Sequence, residues 1–253
     1  LITMKDQLYQ YTLQLGDNAM ILGHRLSELC GHGPTLETDI ALTNISLDLY
    51  GQVRNYFQYA ASLKGEEKTE DDLAFLRYPH QYKNVLLVEQ PNTDFAHVIV
   101  RQFFFDAYHF PFLKQLCESN DEQLKAIAQK GIKEVSYHLR FSSTWMKRLG
   151  DGTEESRAKM QAAVDHLWPY VGELFLPTQE EEEMLGYGIG ADLATIKAEY
   201  DETIRQVIGE STLALPEIIG SQKGGKTGIH SEHMGFILAD LQYMQRTYPN
   251  MQW

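Results

Sequence analysis

Asp106 and His109 stand three residues apart in a stretch whose apolar side chains recur with helical spacing. Residues three apart share a helix face, so a carboxylate and an imidazole at that separation can converge on one point. Further along, Glu134 and His138 lie one turn apart, and Asp48 sits in the polar series Asn44, Asp48, Gln52 and Asn55. Carboxylates and imidazoles gathered from facing helices are how a helical bundle holds a pair of iron or manganese ions. The set is incomplete, however. Three steps from Glu134 the chain has Tyr137, and His138 is turned about 100° further around the helix axis. Asp106 is also shorter than a glutamate. A working pair of metals wants two carboxylate-x-x-His motifs plus bridging carboxylates, and the sequence offers one approximate motif. Inward ionisable groups are costly unless paired. The expectation is a hydrogen-bonded polar remnant made of Asp48, Asp106, His109, Glu134, Tyr137 and His138, with no catalytic, cofactor-binding or metal-ligating residue assigned.

A second run suggests phosphate chemistry. Gly220, Gly225, Lys226 and Thr227 match the spacing of a nucleotide-binding glycine loop. That loop needs a buried strand before it and a helix N-terminus after it. Leu213–Ile219 does not read as a strand, and the residues from Thr227 to Trp253 are too few for the rest of a nucleotide-binding sheet. A surface loop is expected instead, in which Lys223 and Lys226 offer a possible basic contact for a CoA phosphate or an acidic partner.

The elements that must position these residues are helices. Leu8, Thr12, Leu15, Ala19, Leu22 and Leu26 draw one stripe before Gly31–Pro34 breaks it. A second helix is predicted over 37–64, and a third begins at a Thr93 or Asp94 cap, with Pro111 predicted to kink it beside His109. The fourth follows Asp121 and carries Ile132, Val135, Leu139, Ser142, Trp145 and Leu149 on one face. The fifth starts at Thr153. Pro177 and the acidic run 180–183 are expected to form a solvated loop, a sixth helix runs from about Asp192, and a last one is capped near Ser231. Period-two strands and internal repeats are absent. The predicted fold is all-α, an up-and-down helical bundle with extra helices. It is read as a single domain over 1–253 with its core bundle at about 37–176.

Bulk properties narrow the function further. The chain has 253 residues, net charge −13 and charged content of 23%. That balance opposes nucleic-acid binding, which needs clustered Lys and Arg. No apolar run approaches the roughly 18 residues that span a bilayer. The N-terminus lacks the layout of a signal peptide. Two cysteines, Cys30 and Cys117, cannot make a disulfide framework, so reduced thiols and a cytoplasmic location are expected.

Several separated segments carry a resemblance: 11–18 (YTLQLGDN), 86–92 (LLVEQPN), 133–142 (KEVSYHLRFS), 223–233 (KGGKTGIHSEH) and the terminal Gln252-Trp253. Together they resemble the structural, non-catalytic subunits of ring 1,2-phenylacetyl-CoA epoxidase (phenylacetate-CoA oxygenase). The resemblance implies a ferritin-like fold and no cofactor in this chain. It implies a catalytic sister subunit whose di-iron centre activates O2 and epoxidises the aromatic ring. It also implies a reductase that delivers electrons from NADPH, and assembly with the other subunits in the cytoplasm. The sister's ligand pattern does not map onto this chain, because Tyr137 stands where a histidine would be needed. Two further readings stand beside this one: a chain that itself binds metal as a ferritin-like oxygenase, and a helical adaptor unrelated to oxygenases.

Overall fold

The computed structural model describes residues 3–65, 67–217, 222–249 and 251. Gly220 and Ser221 of the glycine-rich run, Ile218 and Ile219 before it, and the terminal Gln252 and Trp253 lie outside them. Among the described residues the regular structure is entirely helical: α1 (Met4–Ser27), α2 (Leu36–Lys64), α3 (Glu70–Phe75), α4 (Phe95–Leu116), α5 (Glu122–Gly150), α6 (Glu154–Leu167), α7 (Gln179–Gly186), α8 (Leu193–Glu210) and α9 (Glu232–Thr247), with short 3-10 turns between some of them.

The long helices start where a short polar side chain can take up free backbone N–H groups. Asp94 accepts from the His97 N–H at 2.8 Å, and Asp121 accepts from the Leu124 N–H at 2.8 Å. Thr35 and Thr153 cap α2 and α6 in the same way. Helix α2 ends at Gly65, whose φ of 69° breaks the helix at little cost for a residue without Cβ. Helix α4 runs through Pro111, which leaves the Ala107 carbonyl without its helical donor.

Four long helices form the bundle. Gly16 of α1 faces Phe57 of α2 while Gly23 faces Leu49, so the two run antiparallel. Any Cβ at Gly16 would collide with the Phe57 ring, which explains a glycine inside a helix there. Asp106 and Leu113 of α4 meet Ser142 and Gly131 of α5, and Asp48 and Gln52 of α2 meet His138 and Gly131 of α5. Both pairs are therefore antiparallel too, so α2 and α4 run parallel and the order along the chain is up, down, down, up. The strict up-and-down alternation predicted is corrected, because the long segment 65–94 crosses from one end of the bundle to the other. Helices α6 and α8 cover α4, α7 lies on α1, and α9 packs on α3.

Several further expectations are corrected. The bundle does not begin at residue 37, because α1 is one of its four long helices. Nor does α1 bury a single stripe: every residue from Tyr11 to Gly23 is buried. The segment after α3 supplies the extra cover, donating the Lys83 and Val85 N–H groups to the side chains of Asp17 and Asn18. The acidic run 180–183 is not a solvated loop but part of α7, with Glu180, Glu181 and Glu182 in the first turn where negative charge is favoured, and Glu181 is buried. On α5 the inward line is Leu124, Ala128, Gly131, Val135, His138, Ser142 and Met146. The predicted stripe shares Val135 and Ser142 with it, while Ile132, Leu139, Trp145 and Leu149 pack on its flank. Phe103, Phe104 and Phe105 are fully buried core residues, each contributing about 2–3 kcal/mol by burial.

Candidate functional site

Three helices bring five of the six sequence-predicted polar residues together, with Asp106, His109 and His138 buried in the bundle and Asp48 and Glu134 half-buried at its edge. Asp48 comes from α2, Asp106 and His109 from α4, and Glu134 and His138 from α5. His138 is fully buried, and its Nε2 lies 3.0 Å from the Asp48 carboxylate. Asp106 is also fully buried; one oxygen accepts from Gln102 Nε2 at 2.7 Å and the other from Ser142 Oγ at 2.7 Å. Ser142 lies one turn beyond His138, so the two polar pairs are adjacent along α5.

Electrostatics follow from burial. Desolvation pushes the Asp106 carboxyl up to about 7, against the pull of His138 and of its two hydrogen-bond donors. Desolvation, aided by His138, pushes the His109 imidazole down to about 3. Burial and the neighbouring Asp48 raise Glu134 above the usual carboxylate range. His109 and His138 each leave Nδ1 without a hydrogen-bond partner.

Tyr137 does not belong to this cluster. It is 39% exposed, beside the rings of Phe141 and His138, with the Arg140 guanidinium above it. The inward line of α5 passes through His138, and one residue back along a helix is about 100° away. Gln102 and Ser142 are members that sequence reasoning did not name as site residues. Their signal was present, since both are polar residues on otherwise apolar stripes.

These residues do not fit a pair of metal ions. Both Asp106 oxygens are taken by neutral donors in a setting that favours the protonated acid, and Asp48 is bonded to His138. Among the described residues, no three His, Cys, Asp or Glu side chains are grouped as a metal ion would require. Asp106 and Asp48 are thus engaged within the cluster, by Gln102, Ser142 and His138.

The glycine-rich segment holds the second set of predicted residues, and there the expectation fails for Lys226. Its Nζ is buried, 2.9 Å and 3.0 Å from the two oxygens of Glu181, and also donates to the carbonyls of Leu174 and Leu176. No hydrogen of this ammonium is left for an outside phosphate. The backbone N–H groups of Gly224 and Lys226 point instead at the buried Glu173 carboxylate, 2.8 Å and 3.3 Å away. An internal carboxylate thus occupies the place where such a loop would cradle a phosphate. Lys223 is exposed. Ser231 was expected to cap the last helix, and His230 precedes it. Both bind Glu89, the serine through its N–H and its hydroxyl, so the Ser231 side chain serves Glu89 and does not cap α9.

The fold and this centre define a helical-bundle protein with a polar core whose residues do not fit a pair of metal ions. A family profile described as "Phenylacetic acid catabolic protein" matches residues 2–253, and the chain belongs to that family. It is 49% identical over 248 residues to a 1,2-phenylacetyl-CoA epoxidase subunit of Escherichia coli (strain K12), covering 98% of this chain and 100% of that protein. No helix among the described residues is long and apolar enough to cross a membrane.

Proposed function

We propose that this chain is the non-catalytic structural subunit of a multicomponent di-iron oxygenase that epoxidises phenylacetyl-CoA in aerobic phenylacetate degradation. It pairs with the catalytic di-iron subunit and supports its shape in the cytoplasm, while a reductase supplies electrons from NADPH. The observation that carries this reading is the engagement of Asp106 with Gln102 and Ser142, and of Asp48 with His138, in place of a ligand set. When bound in the catalytic subunit, the iron pair supplies dioxygen activation; this chain's own residues supply packing and a polar centre that fixes α2, α4 and α5 against one another. The similarity to a protein named as one subunit of an epoxidase supports the pathway and the existence of partner subunits.

A second reading, in which the chain itself binds metal and carries out the oxygen chemistry, draws on the unpartnered Nδ1 atoms of His109 and His138. Metal analysis of the purified chain separates the two. Iron well below one equivalent and no epoxidation by the chain alone are expected. Two tightly bound irons per chain would replace the first reading with the second. Reconstitution tests the support role: the catalytic subunit should lose activity or stability without this chain, and undiminished activity would argue against it.

A further inference from the structure

Helix α2 is apolar on two opposite sides. Leu42, Ile45, Leu49, Val53 and Tyr56 face the bundle and are buried. On the far side Leu36, Ile40 and Leu47 fall on one stripe at i, i+4 and i+11, and they are 71%, 50% and 61% exposed. A second cluster of apolar side chains on the outward side of a helix is ordinarily covered by a partner. Helix α5 packs beside α2, joined to it through the Asp48–His138 bond, and has an exposed face of its own. That face carries Tyr137 together with exposed Lys130, Lys133, Arg140 and Arg148. Helix α5 holds six basic residues against two acidic ones, in a chain whose net charge is −13. Lys147 is paired with Glu210; Lys130, Lys133, Arg140 and Arg148 form no such ion pair among the described residues.

We propose that the α2–α5 face is the docking surface for the catalytic sister subunit, whose contacting helices present an apolar strip flanked by carboxylates. This rests on the partner reading above and adds where the partner sits and what chemistry it shows. Charge decides the occupant. A second copy of this chain docked about a two-fold axis would set the basic row of α5 against itself, and like charges opposed at an interface disfavour it. A nucleic acid would match the charge, yet would leave three aliphatic side chains without apolar cover. An acidic helical face satisfies both halves of the surface.

The test measures binding of the full-length chain to the purified catalytic subunit by sedimentation and calorimetry at low and high salt. Ile40→Gln/Leu47→Gln and Lys133→Glu/Arg140→Glu should each weaken binding at least about tenfold. Wild-type affinity should fall with salt, and less so in the charge-reversed variant. Phe236→Gln, an exposed apolar site on α9, is the control and should bind within about twofold of wild type. All changes are at exposed positions, and unchanged circular dichroism and melting verify the fold. Loss of binding in Phe236→Gln but not in the α2 and α5 variants would overturn the docking face while leaving the partnership standing. A wild-type chain that binds no catalytic subunit would remove the partner reading itself. A homodimer dispersed by Leu47→Gln, or duplex DNA held by the α5 basic row, would replace the proposed occupant.

Discussion

Lys226 and Glu181, far apart in the chain, meet as a buried ion pair with the ammonium 2.9 Å from the nearer carboxylate oxygen. Each is about 95% removed from solvent, and Glu181 accepts further hydrogen bonds from Gln14 and from the Thr178 N–H. A lysine that reads in sequence as part of a phosphate loop is therefore a tie between the segment before α9, α7 and α1.

Removing one member of such a pair strands the other. Lys226→Met is expected to destabilise the fold by about 3–5 kcal/mol, because Glu181 stays buried without its cation. The double variant Lys226→Met/Glu181→Gln should recover much of that loss, as read from chemical unfolding of all three proteins. Equal destabilisation in the single and double variants would mean that the pair is not coupled.

Glu173 makes the companion prediction. Its two oxygens accept from the N–H groups of Gly224, Lys226 and Leu86. An amide at this position has one acceptor oxygen and would turn its NH2 group toward a backbone donor. Glu173→Gln should therefore cost about 2–3 kcal/mol. With the carboxylate in place, ATP or inorganic phosphate should leave the melting temperature unchanged. A saturable upward shift with phosphate would reinstate an anion site there.

Asp106 should make stability depend on pH. Its folded value of about 7 lies above the ordinary carboxyl value of about 3.9, so the folded chain holds this proton more tightly. The associated stability is fully present below about pH 4 and is lost as pH rises through about 7. Unfolding free energies measured from about pH 4 to 8 should fall less steeply in Asp106→Asn than in wild type, by on the order of a few kcal/mol across the range. Superimposable pH profiles would place Asp106 in contact with water.

His109 tests whether the remnant is held by bonding or by packing. The sequence alone predicts a loss of a few kcal/mol in His109→Ala from a stranded hydrogen-bond partner. The structure supports a comparable loss for a different reason: the ring lies against Phe105 and its Nδ1 has no partner. A cavity-forming His109→Ala should cost about 2–4 kcal/mol, and His109→Leu clearly less. Equal losses in the two variants would point to a lost hydrogen bond instead.

Much of the bundle was legible because its long helices announce themselves twice, by periodicity and by capping residues such as Asp94, Asp121 and Thr153. The polar centre was legible for a related reason. A carboxylate or imidazole on an apolar stripe has to meet another polar group, and Asp48, Asp106, Glu134 and His138 do meet. Tyr137 falls outside it because counting three from Glu134 selects that residue, whereas the packed face of α5 runs through His138. The pairings of Lys226 with Glu181 and of His230 with Glu89 had no local signal at all. They join residues more than forty positions apart, and nothing in the spacing of either partner encodes the other. The same holds for α1, whose second covered side is supplied by an irregular segment sixty-odd residues away.

The glycine-rich segment also bears on the order in which the protein can be completed during synthesis. Glu89, Glu173 and Glu181 are buried acids on the body of the protein, and each receives donors from residues 224–231, which leave the ribosome after all three. Until those residues emerge, an otherwise finished bundle holds three carboxylates short of their partners, so closure of this strap acts as the latch on the whole assembly.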